Sequence, residues 1–274
     1  PLPAHGDGDP TRLARLRWLD SAKGLDFEPA AQYSAISGSS PNFSIKGRSF
    51  VLGNSGHFSS IETNGIELLT GPIQVLITDA AGDTPVELTP AGAPVVTKLG
   101  PGAVRWSVKS VGAGSLAGVS SHTVGTLFYD GFVDFNVSLV SAQPRQLHDV
   151  RLVVPVAEEV VKWIMGWNVM PSGRFQSPIN FSWTEYGQGQ RNGAWIGKPS
   201  SGVRVTFKGP EAAWNSPIEM PSHPPATWAN CPDPLSPLNC RGTASISTGP
   251  AGTAVLQSQT GPLNISTVEI PFNF

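Results

Sequence analysis

The stretch KWIMGWNVMPSGRFQSPINFSWTEYGQGQRNGAWIGKPSSGVRVTFKG, residues 162–209, is the most informative part of the chain. Runs of aromatic and β-branched residues occur in and beside it at 160–167, 180–186, 194–196 and 202–208, separated by glycine, proline, serine and asparagine. Such runs, when turn residues bound them, are typical of antiparallel β-strands. The stretch therefore predicts a fold built from short strands.

Four of the eight tryptophans fall in this stretch, namely Trp163, Trp167, Trp183 and Trp195. Each tryptophan contributes a large apolar area and one N–H group that needs a partner. Two interpretations follow: the rings fill the middle of a sandwich core, or they form an aromatic binding face. The burial habit of tryptophan in strands favours the core.

Composition points to the same fold class. Charged residues make up 14% of the 274-residue chain, against about 25% in typical soluble domains. The 30 glycines and 26 prolines are spread along the chain between regular apolar runs, which indicates many turns rather than disorder.

A net charge of −2 without a basic run gives no electrostatic footprint for nucleic acid. No apolar run approaches the roughly 20 residues of a membrane span.

Several features predict a secreted protein. Cys231 and Cys240 enclose a proline-rich loop without metal-type spacing, so a disulfide is the first interpretation and two free thiols the second. The chain begins at Pro1, as a mature product freed of its leader would, although a trimmed chain would begin in the same way. Four N-x-Ser sequons predict N-linked glycans; they begin at Asn42, Asn136, Asn180 and Asn264.

Residues 1–20 are predicted to form an extended N-terminal arm, and residues 21–274 a single β-sandwich domain. Residues 1–10 hold three prolines and two glycines, so they form a mobile arm unless something outside the domain holds them. Residues 11–20 then predict a short helix or strand that docks on the sandwich. The apolar anchors of this predicted docking segment are Leu2, Leu13, Leu16, Trp18 and Leu19.

From residue 45 onward the pattern is a succession of hairpins. Turn pairs stand at 54–56 and at Asn64–Gly65, the second being the strongest short hairpin signal. Strands are expected near 95–99, 103–111 and 146–156, the last ended by Pro155, with two more around the turn at 129–131. Residues 210–241 are proline-rich and form an ordered excursion that holds the cysteine loop. Closing strands are expected at 243–247, 253–257 and 267–274.

Several short motifs recur in order along most of the chain: RLRWLDS at 15–21, IKGRSFVLGNSGHFSSI at 45–61, LLTGPIQV at 68–75 and YDG at 129–131. RLVVPV at 151–156, the tryptophan-rich stretch and TVEIPFNF at 267–274 continue the series. Together they resemble the β-sandwich domain that precedes the catalytic barrel in proteins related to glycoside hydrolase family 123. The resemblance implies a large, multi-stranded antiparallel β-sandwich, an all-β fold.

The chain departs from that family in one respect. The family's chemistry belongs to a (β/α)₈ barrel with an adjacent pair of acidic residues, and no alternating strand–helix region is found here. No family active-site residue therefore has a position to map to, and the resemblance carries over the fold alone.

A glycosidase needs two carboxyl groups that face each other across a cleft. Asp130 lies in a turn, where an aspartate binds local backbone, and Glu158 and Glu159 follow a strand and indicate a solvated edge. These carboxylates therefore predict no catalytic pair; the full candidate set is Asp130, Asp134, Glu158, Glu159 and Glu185. The five histidines are isolated and lack metal-binding spacing; they are His5, His57, His122, His148 and His223. We expect no enzyme activity, no metal and no cofactor.

Two functions of different classes remain. The first is a non-enzymatic extracellular structural protein, in which the arm of one copy docks head-to-tail on the next to build a fibre or surface coat. Its partners would be further copies of the chain, and N-linked glycans would dress the outside. The alternative is a carbohydrate-binding module of a glycoside hydrolase, in which Trp183, Tyr186 and Trp195 stack on sugar rings.

Overall fold

The computed structural model describes residues 27–80, 82–167, 169–185, 192–208, 226–232 and 239–274. The predicted arm at 1–20, with Leu2, Leu13, Leu16, Trp18 and Leu19, lies outside these described residues. Most of the proline-rich excursion at 210–241 lies outside them as well.

The described chain consists almost entirely of strands, as predicted. The only α-helix described is a single turn, α1 (Ala226–Ala229), and single 3₁₀ turns stand at Gly114–Leu116, Glu158–Val160, Trp183–Glu185 and Pro250–Gly252. The strands are β1 (Ser37–Ser39), β2 (Asn42–Ile45), β3 (Arg48–Leu52), β4 (Phe58–Thr63), β5 (Ile66–Glu67), β6 (Gln74–Thr78), β7 (Val86–Glu87), β8 (Thr89–Pro90), β9 (Val95–Gly100), β10 (Ala103–Val111), β11 (Val119–Phe128), β12 (Val133–Ser141), β13 (Arg145–Leu147), β14 (Asp149–Val156), β15 (Trp163–Gly166), β16 (Val169–Arg174), β17 (Ile179–Ser182), β18 (Gly193–Lys198), β19 (Ser201–Thr206), β20 (Thr243–Thr248), β21 (Ala254–Gln259), β22 (Leu263–Ile265) and β23 (Ile270–Asn273).

Two six-stranded antiparallel sheets form the body of the sandwich. One has the order β23-β12-β11-β10-β8, with β9 also on β10, and the other has the order β17-β20-β21-β14-β6-β7. Val137 and Leu139 of the first sheet line the same small interior space as Ile77 and Val150 of the second. The two sheets therefore face each other across a common core, which confirms the predicted β-sandwich.

Three smaller sheets complete the fold. A five-stranded meander has the order β1-β2-β3-β4-β5, a two-stranded ladder joins β13 to β22, and a four-stranded sheet has the order β16-β15-β18-β19. In the meander, Asn64 and Gly65 join β4 to β5 with φ angles of 52° and 79°. A two-residue hairpin turn of this kind needs positive φ at both positions, so the predicted hairpin is confirmed with its physical reason.

A chain of aromatic rings links the four-stranded sheet to the meander through the core. Trp228 lies 5.3 Å from Phe207 and 6.2 Å from Phe274, measured between ring centroids. Phe274 lies 5.0 Å from Phe135, which in turn lies 5.9 Å from Trp106. The Trp106 Nε1–H group donates to the Gly56 carbonyl oxygen at 2.7 Å. Edge and offset contacts of this kind add to the apolar burial, so the core is continuous across the sheets.

Three details of the predicted strands were wrong. The single strand predicted over 146–156 is two strands in different sheets, β13 and β14, with His148 between them. Pro155 does not end its strand, because β14 continues to Val156. The Pro155 carbonyl accepts from the Thr70 N–H on the side away from β21, so the missing proline N–H leaves the β21 ladder intact. The predicted strand over 180–186 ends at Ser182, where a 3₁₀ turn takes over.

Candidate functional site

The four-stranded sheet β16-β15-β18-β19 has one buried face and one face of unusual composition. Ile164 and Ile196 point into the core with no exposed surface, and Val205 joins them on that side. Because side chains alternate along a strand, their neighbours Trp163 and Trp195 lie on the opposite, outer face. Trp163 is 40% exposed, and Trp195 is half-buried. We call this outer surface the aromatic face; its residues are Trp163, Met165, Arg174, Trp195, Gly197, Gly202 and Arg204.

Glycine on the neighbouring strand lets the Trp195 ring lie flat on the sheet. A Cβ atom added at Gly197 would stand 2.5 Å from Trp195 Cζ2, and one added at Gly202 would stand 2.8 Å from Trp195 Nε1. Any side chain at either position would occupy the space that the indole fills. The two glycines therefore leave the space in which the indole packs against the backbone of the sheet.

Each tryptophan of the aromatic face has an arginine directly across from it on the next strand. Trp163 pairs with Arg174 of β16, and the Arg174 Cζ atom lies 5.7 Å from the centre of the Trp163 ring. Trp195 pairs with Arg204 of β19. A guanidinium near the ring at this distance makes a cation–π contact. The aromatic face thus combines two indole rings with two positive charges.

A flat aromatic surface of this kind can bind a ring that has its own apolar face. Sugar rings present C–H groups on one side and hydroxyls around the edge, so they can pack on an indole while their polar groups stay in water. The glycine-supported tryptophan provides the rigid platform that such a contact needs. Nothing in this arrangement supplies a nucleophile or a general acid.

The structure separates the three residues predicted to stack on sugars. Trp195 lies on the aromatic face, whereas Tyr186 lies outside the described residues. The prediction for Trp183 was wrong: this ring has no exposed surface and packs against Phe181 and Phe207, with centroids 5.0 and 6.0 Å away. Its strand ends at Ser182, so the 3₁₀ turn carries Trp183 into the core.

Sequence reasoning did not include Trp163 among the stacking residues. The sequence did contain a signal for Trp163: it stands next to Ile164, the buried residue between Trp163 and Met165. In a strand this pattern places both flanking side chains on one face. Which face meets solvent depends on the sheet's neighbours, and the local sequence does not contain that information.

The carboxylates considered for catalysis do not converge where the structure describes their side chains. Asp130 accepts from the backbone N–H of Phe132 at 2.9 Å, as its turn position predicts. Asp134 is ion-paired with Lys208 at 2.8 Å, and Glu159 with Lys198 at 2.6 Å. Glu158 lies beside Gly252, and the Glu185 side chain lies outside the described set.

His57 lies in the core between the two large sheets. Its ring lies 5.4 Å from the ring of Phe135 and 6.0 Å from that of Phe274, and burial lowers its pKa to about 4. Beside it, burial raises the pKa of Glu87, opposed by hydrogen bonds with Ser55 and Gln74. The adjoining cavity measures about 20 Å³, room for one water molecule. It is too small for a sugar.

The predicted cysteine pair and the four sequon asparagines all lie among the described residues. Cys231 and Cys240 form a disulfide, which confirms the first interpretation of the pair. The asparagines of all four sequons are exposed, so each is open to a modifying enzyme; glycosylation itself stays a prediction.

Among the described residues, no group of three or more His, Cys, Asp or Glu side chains is arranged to hold a metal ion. Within the same ranges, no helix has the length and apolarity that a membrane span requires.

Comparison with known proteins identifies a family, and solved structures with a similar fold are found as well. The family described as "Glycoside hydrolase 123, third domain" matches residues 37–274. The crystal structure of HI1317 is similar at 6% sequence identity and a TM-score of 0.42, covering 87% of this chain and 90% of that chain. That likeness is too low to support any argument about function. No curated protein matches the chain.

Proposed function

The chain belongs to the glycoside hydrolase 123 third-domain family, and from this premise we propose that it is a non-catalytic carbohydrate-binding module. Family membership agrees with the resemblance predicted from the sequence motifs. The observation that carries the proposal is the aromatic face, where Trp163 and Trp195 lie on the exposed side of one small sheet. The module would bind a polysaccharide and contribute no reacting group.

The remaining described tryptophans support this assignment of the two rings. Trp106, Trp167, Trp183 and Trp228 are all buried in the core. An exposed tryptophan costs solubility without contributing to the core. Trp163 and Trp195 lie together on the outer face of one sheet, as the rings of a stacking platform would.

Sugar binding by the aromatic face is tested by titrating glycans against the protein and the variants Trp163→Ala and Trp195→Ala. Each variant should weaken binding by about tenfold or more, equal to about 1.4 kcal/mol. Phe132→Ala is the matched control, because Phe132 is also an exposed aromatic (48%) but lies on the β11–β12 connection. If the parent protein and the three variants bind the glycan with equal affinity, the proposal is refuted.

A second candidate function is the structural subunit predicted from the sequence, and an edge strand favours it. β9 pairs only with β10 in the part of the chain described, and Val95 on this edge is 68% exposed. A strand edge that no other strand covers can accept a strand from another chain. We propose that the arm at residues 1–20 of one copy adds to β9 of the next.

This assembly is tested by light scattering and negative-stain microscopy of the whole chain beside one lacking residues 1–20, the complete arm. The whole chain should form particles that grow with concentration, and the shortened chain should stay monomeric. If both are monomeric at high concentration, the structural function is wrong.

Both functions are exercised outside the cell. The disulfide and the four exposed sequon asparagines are features of secreted proteins. We therefore propose an extracellular, glycosylated protein that carries no cofactor.

A further inference from the structure

The aromatic face has a charge that differs in sign from that of the whole chain. The chain has a net charge of −2, yet strands β15, β16, β18 and β19 contain no aspartate or glutamate. They contain three cations, Arg174, Lys198 and Arg204. Lys198 is neutralised by Glu159 at 2.6 Å, so the two arginines determine the local charge.

Neither arginine is ion-paired to a described residue, although both are exposed. Arg174 and Arg204 stand on the two outer strands of the sheet, each opposite a tryptophan of an inner strand. Side chains directly opposite each other on one face have their Cβ atoms about 5 Å apart. Arg174 therefore lies over the Trp163 ring, Arg204 stands opposite Trp195 in the strand register, and the two arginine–tryptophan pairs lie side by side.

The planar guanidinium matches a carboxylate or sulfate with two parallel N–H donors, and hydrogen bonds between charged groups are stronger than neutral ones. A neutral sugar can accept single hydrogen bonds from a guanidinium through its hydroxyl oxygens, whereas an anionic group adds charge and a two-point contact. A repeating acidic sugar would place its ring on the indole and its anionic group beside the arginine. The absence of carboxylates from these four strands removes the repulsion that an anionic ligand would otherwise meet.

We propose that the ligand of the aromatic face is an acidic polysaccharide, whose anionic groups pair with Arg174 and Arg204 while its rings stack on Trp163 and Trp195. This inference rests on the proposed carbohydrate-binding function and specifies its ligand class. Uronate and sulfate groups are both anions that a guanidinium can bind with two N–H donors. Polysaccharides that carry one group or the other are tested separately to distinguish them.

The test measures binding of three polysaccharides: polygalacturonate, a sulfated galactan and the matching unsulfated galactan. At least one acidic polymer should bind about tenfold or more tightly than the neutral one, and added salt should weaken only the acidic complex. The double variant Arg174→Gln/Arg204→Gln should lose this preference and keep any neutral binding. Arg105→Gln is the matched control, because Arg105 is exposed on β10 of another sheet; it should change nothing.

Each contrary result has a distinct meaning. Neutral and acidic polymers bound equally, with the double arginine variant unchanged, would overturn the acidic-ligand inference and leave the carbohydrate-binding function standing. Acidic binding that Trp163→Ala and Trp195→Ala do not weaken would be ion exchange and would overturn both. No binding to any of the three polymers would also overturn both.

Discussion

The indole ring of Trp195 on β18 occupies the space that a side chain at position 202 on β19 would need. A Cβ atom at Gly202 would stand 2.8 Å from Trp195 Nε1, and the strand pairing of Gly197 with Gly202 places a second glycine under the same ring. The space for this half-buried indole is therefore left by glycines of its own strand and of the neighbouring strand. A binding surface built this way depends on residues that make no contact with a ligand.

The substitution Gly202→Ala should displace the Trp195 ring and weaken polysaccharide binding by about tenfold. Overpacking at this site should also lower the free energy of unfolding by roughly 1–3 kcal/mol. Isothermal titration and denaturant unfolding measure the two effects. Gly92→Ala is the control, because a Cβ atom there meets nothing within 4 Å. Unchanged affinity in a folded Gly202→Ala protein would contradict the role of Gly202.

Reduction of the Cys231–Cys240 disulfide should lower the free energy of unfolding. The bond closes a short loop with a sequence separation of 9, for which the loss of chain entropy in the unfolded state predicts about 3 kcal/mol. Urea unfolding with and without a reductant measures the difference. In the double variant Cys231→Ser/Cys240→Ser the reductant should have no effect. A reductant-induced loss of stability in that variant would show that the effect lies elsewhere.

Acidification should destabilise the protein through His57. Burial lowers the pKa of this histidine from 6.5 to about 4, so between these values the unfolded state binds a proton that the folded state does not. Stability from this group is complete above pH 6.5 and is lost as the pH falls toward 4, by roughly 3 kcal/mol in total. The raised pKa of Glu87 acts in the opposite direction.

The contribution of His57 is isolated by His57→Gln, which removes the titration and keeps a polar side chain of similar size. The free energy of unfolding should fall less between pH 7 and pH 4.5 in the variant than in the parent protein. The difference between the two pH profiles is the quantity to measure, so a general loss of stability in the variant does not affect the result. Parallel profiles would contradict the assignment.

The four sequons should be occupied when the protein is secreted from a eukaryotic host. Each asparagine is exposed, and the residue that follows it is buried, as in Asn42–Phe43 and Asn136–Val137. Alternation in the strands therefore points every acceptor toward solvent. Intact-mass measurement should show one glycan fewer for each Asn→Gln substitution. A secreted protein with its unmodified polypeptide mass would rule out this prediction.

Much of the fold was predictable because strands and turns leave local signals. The asparagine–glycine pair at 64–65, the strand near 103–111, the two strands around the turn at 129–131, and the cysteine loop each specified a feature that the structure contains. Turn geometry and the alternation of side chains are set by residues that are adjacent in the chain, so both can be predicted without knowing which distant residues pack against them. The sequence motifs also pointed correctly to a glycoside hydrolase 123 domain.

The candidate site was only partly predictable. By itself, the sequence determined that the chain is an all-β protein with tryptophans concentrated in one stretch. Tertiary structure decided that Trp183 is buried, that Trp163 is exposed and that Trp195 lies half-buried on the same outer face. The physical reason is that alternation assigns side chains to two faces, whereas the packing of sheet against core determines which face is buried. The pairing of Trp195 with Arg204 and of Trp163 with Arg174 likewise comes from strand register, which joins residues that are distant along the chain.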